Sequence, residues 1–447
     1  MRLSAFLVLL AVAACDGATE LVEAPIAPPP PPPPSAPPPA VVEISATTFF
    51  AGAPFTLTSA AFSVPGVVPQ LTIEGVAVPL ERIAGTVFRG ELPRTLSGTH
   101  DPVLQVGGQP AELPSIAVHG FTGSQSYPSV STGFSSDEAI AFGSPGVATV
   151  MTDQAAGLSL IDLDAGTVTV HPDLHAKGMY LPGPTYDPDV WLLRPNDPGP
   201  LEAWNLAGPA PVLLPGKAPG WGQNRAVALL DSTHMIFFGG NTGNSWRMDQ
   251  GGSWTVVSPY RIEGDKQMRF SPDGTRLVTT TSGLGVVDQN MPTQQNGVFV
   301  WSVPNGEVAY LLPNSRDLRS AGFSPDGSRL ATVVARIGEP IESTYLQIVN
   351  AQNGALLHSA TFGTPLLSVA YDPFRPLIYL ASKAGTSTVE LTVISATTFQ
   401  VVGRMQGPCS TTCLLDSPIV VSAANAVYFF DNGAHLAVRF SLPPVGP

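Results

Sequence analysis

Charge is scarce in this chain. Only 12% of its 447 residues are charged, and acids outnumber bases 34 to 21, for a formal net charge of −13. No run of Lys or Arg offsets this locally, so the electrostatic footprint that nucleic acid requires is missing and nucleic acid is excluded as a partner. Long 3.6-residue periodicity built from Ala, Leu, Glu and Lys is also missing, which removes helical bundles. The apolar stretch from Leu3 to Ala14 is too short to cross a bilayer as a helix, and no other segment is long and apolar enough to do so. Of the seven histidines, His171 and His175 share the short stretch HPDLH, but Pro172 argues against one helical face for both, and the Glu of HExxH is absent. The chain has no G-x-S-x-G elbow, Walker loop or Rossmann glycine fingerprint. No catalytic residue, metal ligand set or cofactor can be assigned from these residues.

What is plentiful is punctuation. With Pro 47 and Gly 44, the composition favours a turn-rich all-β protein, and the length calls for several modules or a repeat array. Residues 1 to 15, MRLSAFLVLLAVAAC, pair a cationic Arg2 with a short apolar stretch and small residues before a cysteine, the pattern of an export signal. Val12-Ala13-Ala14-Cys15 resembles the lipobox of bacterial lipoproteins. That resemblance implies a lipid on Cys15 as the only membrane attachment, and a place in the bacterial cell envelope, on its periplasmic or surface side. Cys409 and Cys413 remain. In an oxidising compartment, C-S-T-T-C is expected to close a small disulfide loop, because two thiols alone cannot complete a tetrahedral zinc site.

Residues 16 to 40 are a proline-rich linker. The run from Pro28 to Pro39 favours polyproline II, about 3.1 Å per residue, and so spans roughly 35 to 40 Å as a stiff spacer. Residues 41 to 119 alternate in short segments broken by Gly and Pro, such as Phe55-Thr56-Leu57-Thr58 and Leu71-Thr72-Ile73-Glu74-Gly75-Val76, which is a β-sandwich pattern. The order AGAPFTLTSAAF, QLTIEGVAVPL, FRGELP, SGTHDPVLQVGGQPA and Ile116-Ala117-Val118 resembles the IPT/TIG immunoglobulin-like family. The resemblance implies a spacer or interaction module. Ser59-Ala60-Ala61 departs from the glycine usual there, so a differently shaped first hairpin is expected.

Residues 269 to 279, RFSPDGTRLVT, return as residues 322 to 332, GFSPDGSRLAT, with Phe270 and Phe323 53 positions apart (323 − 270). In each SPDG a proline fixes φ, the aspartate accepts a backbone hydrogen bond and the glycine relaxes the fourth position, so Asp273 and Asp326 read as turn residues between two strands. Each copy then runs into a second hairpin tipped by Asn305-Gly306 or Asn353-Gly354. Four strands per 45 to 55 residues is the signature of propeller blades. Fainter copies occupy residues 139 to 170, 187 to 215, 225 to 258 and 366 to 405, and a last one from Pro418 stops one strand short. This gives seven blades of four strands, with six or eight as alternatives, and residues 121 to 135 are expected to supply the missing outer strand. Residues 120 to 447 resemble TolB-type, YVTN-type and WD-type β-propellers, a resemblance that implies fold and leaves function open.

In such a blade the links between second and third strands lie on the same face as the links between blades. Long segments fall there at residues 281 to 297 and 335 to 343. The neighbouring blade-to-blade links carry Trp221 and Arg225, then Tyr260, Arg261, Asp265 and Lys266, then Asp317 and Arg319. In so uncharged a chain this rim is the candidate ligand site, with aromatic and arginine anchors; Asp164, beside a hairpin tip, lies on the opposite face. The expected function is a monomeric, non-catalytic binding module for a protein or an envelope polysaccharide. The alternative is a metal-assisted hydrolase like the lactonase propellers, with ligands converging in the central channel.

Overall fold

The computed structural model describes residues 40–126, 140–142, 149–154, 157–174, 178–180, 190–194, 201–206, 210–218, 226–231, 234–238, 245–248, 254–258, 269–281, 297–303, 307–312, 315–336, 343–410, 419–431, 434 and 436–445. Residues 40 to 447 form one unit. The chain is an all-β protein, a small sandwich followed by a β-propeller.

Three small sheets make the sandwich. One contains Glu43–Ile44, Pro54–Thr58, Val87–Glu91 and Leu80–Ala84; a second contains Gln109–Ala111, Val103–Val106, Gln70–Ile73 and Val76–Val78; the third sets Ile116–His119 between Thr48–Phe50 and Gly98–His100. Alternation does what the sequence requires: Phe55 and Leu57, Leu71 and Ile73, and Leu104 and Val106 point inward, and the residues between them outward. Glu74 and Gly75 both have positive φ, 52° and 75°, which closes the tight hairpin between Gln70–Ile73 and Val76–Val78. At the departure from the IPT/TIG pattern the chain makes a short 3₁₀ turn, Ala60–Ser63. Ser59 caps it by accepting from the Ala61 amide while donating to the Val41 carbonyl at 2.7 Å.

Among the described residues seven four-stranded antiparallel sheets follow, one per blade. Blade one comprises Ile140–Phe142, Thr149–Gln154, Gly157–Asp162 and Thr167–His171; blade two Gly178–Tyr180, Val190–Arg194, Leu201–Asn205 and Val212–Ala218; blade three Ala226–Asp231, His234–Phe238, Ser245–Met248 and Trp254–Ser258. Blade four comprises Arg269–Phe270, Arg276–Thr281, Gly297–Ser302 and Glu307–Leu311; blade five Ser315–Phe323, Arg329–Arg336, Thr344–Asn350 and Leu356–Thr361; blade six Leu366–Tyr371, Leu377–Lys383, Thr388–Ser395 and Val401–Pro408. In blade seven Ile419–Ser422, Ala426–Asp431 and Leu436–Ser441 take their outer strand from Phe121–Ser126, inside the segment expected to close the ring. Buried apolar residues fill the spaces between blades, as Leu330, Val334, Tyr345 and Val349 do against Val298 and Val300.

The sandwich is fixed to the side of blade six. The Arg404 amide donates to the Ala51 carbonyl at 2.7 Å and the Gln406 amide to the Arg94 carbonyl at 2.9 Å. One apolar cluster runs from Phe49, Ala51 and Leu57 through Leu391, Val393 and Met405 to Phe429 and Phe440. The sandwich is therefore part of the propeller's wall and not a separate stalk beneath it.

Candidate functional site

The two faces of the ring differ in how their loops are held. On the face that carries the first-to-second and third-to-fourth turns, the SPDG segments are closed on themselves. Ser271 donates to Asp273 at 2.5 Å, the Thr275 amide and hydroxyl donate to the same carboxylate at 3.0 and 2.8 Å, and the Gly274 amide reaches the Ser271 carbonyl at 2.9 Å. Asp326 repeats this with Ser324 and Ser328. The hydrogen bonds from Ser324 and then Ser328 hold Asp326 below the usual carboxylate range; at Asp273 burial pushes upward, but the bonds from Ser271 and Thr275 prevail. Both aspartates are turn residues, as read from SPDG, with each carboxylate engaged by its own turn.

Blade six varies the same turn. Asp372 replaces the serine, keeps the backbone bond to Leu377, and is fully buried beneath Tyr379, whose hydroxyl donates at 2.7 Å, and Arg375, at 3.1 Å. Arg375 also donates to the Pro443 carbonyl at 2.7 Å and to Asn425, so the C-terminal segment is bracketed to this turn. Burial, with Asp372 beside it, pushes the Tyr379 hydroxyl well above its ordinary value. Sequence reasoning missed this cluster, although the change of SPDG to Asp372-Pro373-Phe374-Arg375 marks it.

Asp164 lies near the blade one hairpin tip, as expected, but it is not a spectator. It accepts from Tyr428 at 2.8 Å and from Ser422, both in blade seven, and burial followed by this contact pushes the Tyr428 hydroxyl up to about 12. Changing Asp164 would open the seam between blades seven and one, so it cannot serve as an inert control for the opposite face.

Of the residues that the sequence assigns to the opposite face, Trp221, Arg225, Tyr260, Arg261, Asp265 and Lys266 lie outside the described residues. Asp317 and Arg319 are described, and their placement corrects the sequence reading. Both fall within the inner strand Ser315–Phe323 of blade five instead of the link before it. The strand escapes notice because its alternation is broken twice: the register slips between Ser315 and Asp317 and again between Leu318 and Ser320, leaving Arg316 and Arg319 as bulge residues. With those two positions skipped, Ser315, Leu318 and Ala321 are buried, while Arg319 is half-buried. The 53-residue offset gives Arg319 the same place in its repeat as Lys266 (319 − 266 = 53).

Around these positions the described face is braced by hydroxyls. Ser320 of blade five meets Ser368 of blade six at 3.2 Å and accepts from the Val369 amide at 3.1 Å, and Thr344 accepts from the Leu366 amide at 2.6 Å. Buried Asp431 holds Ser410 through its hydroxyl at 2.9 Å, and the Cys409 amide donates to Ser387 at 3.0 Å, which fixes the entrance of the C-S-T-T-C loop. Cys409 is buried; Cys15 and Cys413 lie outside the described residues. No group of three or more His, Cys, Asp or Glu side chains gathers to a metal-binding geometry among the described residues.

No protein-family model matches the chain, and neither does any curated protein. Solved structures do match. A chain of the mitotic checkpoint complex is similar at 11% identity and a TM-score of 0.51, over 72% of this chain and 92% of that one. A chain of Kuenenia stuttgartiensis hydrazine synthase is similar at 14% identity and a TM-score of 0.49, over 71% and 99%, and a chain of a nidogen/laminin complex at 12% and 0.37, over 60% and 92%. The first likeness supports the propeller fold, and at such identity it carries the fold alone.

Proposed function

We propose that this chain is an envelope lipoprotein whose propeller binds a protein partner, or an envelope glycan, without turnover, at the rim where blades three to five meet the channel mouth. The observation that carries this reading is that the described carboxylates of the turn face are committed to structural contacts. The carboxylates described on the turn face, Asp273, Asp326, Asp372 and Asp164, are all engaged in turns or seams. In the sequence, the links assigned to the other face are long and carry aromatic and cationic residues in a chain of 12% charge, and Arg319, the cation among them that the structure describes, stands at a bulge of an inner strand. The likeness to a chain from a multiprotein complex agrees with a ring used for binding.

The test takes the intact protein as bait against envelope extract and then compares variants against the captured partner. Arg261→Glu with Lys266→Glu, and separately Arg319→Gln, are expected to weaken binding at least tenfold. Arg319 receives the milder change because its strand is part of blade five. Thr397→Glu, in the exposed third-to-fourth turn of blade six on the opposite face, is expected to leave binding unchanged. A partner that ignores the rim variants and responds to changes in residues 41 to 119 would make the sandwich the recognition module.

Anchoring and the disulfide belong to the same proposal, and one measurement reads both. Intact-mass analysis of protein extracted from membranes under non-reducing conditions is expected to show a chain beginning at an acylated Cys15 and lacking two hydrogens through a Cys409–Cys413 bond. An unprocessed N-terminus would end the lipoprotein reading, and two free thiols would end the disulfide.

A further inference from the structure

His171 ends the outer strand of blade one, where the chain turns through Pro172 and Asp173 toward blade two. Its imidazole is 1% exposed, and neither ring nitrogen has a hydrogen-bond partner. It stands directly across the ladder from Leu158, beside an apolar cluster of Leu158, Leu174, Leu193 and Leu206 with Leu160 and Trp204 against it, drawn from both blades. The turn is latched shut over it: the Leu158 amide donates to the Leu174 carbonyl at 2.8 Å and the Leu174 amide to the His171 carbonyl at 3.2 Å. Gly157, at φ 114°, permits that approach, since a Cβ there would lie 2.4 Å from the His171 carbonyl oxygen.

We propose that His171 makes the seam between blades one and two acid-sensitive, so that mild acidification opens it locally. A neutral imidazole can remain beside this apolar cluster only by leaving a donor and an acceptor unmet, and none of the described side chains supplies a charged one with a hydrogen-bonded counter-ion. The ionisable groups on the described elements around it are Asp173 in its own turn, Asp153, which pairs with the far side of Leu158, Asp162 at the far end of Gly157–Asp162, Arg194 after Leu193, and Glu202 in the third strand of blade two. None bonds to the ring, and Glu202 instead accepts from the Trp204 indole at 3.2 Å. Burial alone holds the imidazole below its ordinary range. The closed seam therefore binds fewer protons than the open one. Its stability is intact above the ordinary imidazole value, about 6.5, and is lost as pH falls below it, by up to about tenfold in the opening constant per pH unit until the buried ring itself protonates.

The test uses the full chain. Amide exchange in residues 157 to 206, corrected for intrinsic rate, is compared at pH 7.5 and 5.5 in wild type, His171→Leu, His171→Gln and His175→Gln. Wild type and His175→Gln are expected to open at least fivefold more readily at the lower pH, and both His171 variants to lose most of that difference. Two non-titrating replacements guard against one that folds poorly. A wild-type seam indifferent to pH, a dependence retained in both His171 variants, or one abolished by His175→Gln would each overturn the proposal.

Discussion

Replacing residues 121 to 126 with a Gly/Ser spacer of equal length is expected to destabilise the whole ring by on the order of 5 kcal/mol, a large part of the usual stability of a folded domain. The closing strand pairs Ser126, Gln125, Ser124, Gly123 and Phe121 with Leu436, Ala437, Val438, Arg439 and Phe440. Each ladder hydrogen bond contributes about 0.5–1.5 kcal/mol net, and the edge-on Phe121–Phe440 pair, with centroids 6.2 Å apart, adds a further ~1 kcal/mol beyond its burial. The spacer keeps the backbone but loses the register and the aromatic ring. Phe440 and Val438, both fully buried, then lose their cover, and the outer edge of blade seven stands open. Chemical denaturation followed by tryptophan fluorescence measures this. A midpoint unchanged from wild type would mean that the ring is closed by other contacts.

Much of this architecture was legible because propeller blades are written in local signals. Asn-Gly hairpin tips, SPDG turns and strand alternation each act over a few residues, so the seven four-stranded sheets and the closing strand follow from short-range chemistry and from counting strands. What escaped was long-range. Arg94 and Glu390, 2.7 Å apart in the structure, are separated by 296 positions, and nothing in either neighbourhood announces the other. Asp164 and Tyr428 are hidden from each other in the same way. The blade five strand containing Asp317 and Arg319 failed for a different reason: two bulges shift the inward positions by one residue each, so a period-2 reading loses phase twice within nine residues. The inner strand Gly178–Tyr180 of blade two was unread because three residues carry too little periodicity to register.

The seam between sandwich and propeller is where a single methyl-scale change should matter most. Gly403 in the outer strand of blade six faces Phe50 so closely that a Cβ there would come within 2.3 Å of the Phe50 Cβ, and a Cβ on Gly52 would come within 2.5 Å of the Arg404 carbonyl oxygen. Neither neighbour is the free end of a flexible side chain, so Gly403→Val must push two backbones apart. Overpacking of this kind costs about 1–3 kcal/mol, and here it also breaks the Arg404 to Ala51 hydrogen bond at 2.7 Å. Separation would leave Glu390, buried in blade six, without the Arg94 guanidinium. The Gln406 side-chain Nε2, at 3.0 Å, would remain on it as a neutral donor. Gly363→Val is the matched control, because a Cβ at Gly363 meets nothing within 4 Å. The expected result is that Gly403→Val lowers the denaturation midpoint and accelerates amide exchange at both Ala51 and Arg404, whereas Gly363→Val changes neither. Exchange that rises at Arg404 alone would mean that the sandwich holds its place without blade six. A rise at both positions would mean that the two parts are one cooperative body, and that any pull on the chain at residue 40 is transmitted into the wall of the ring.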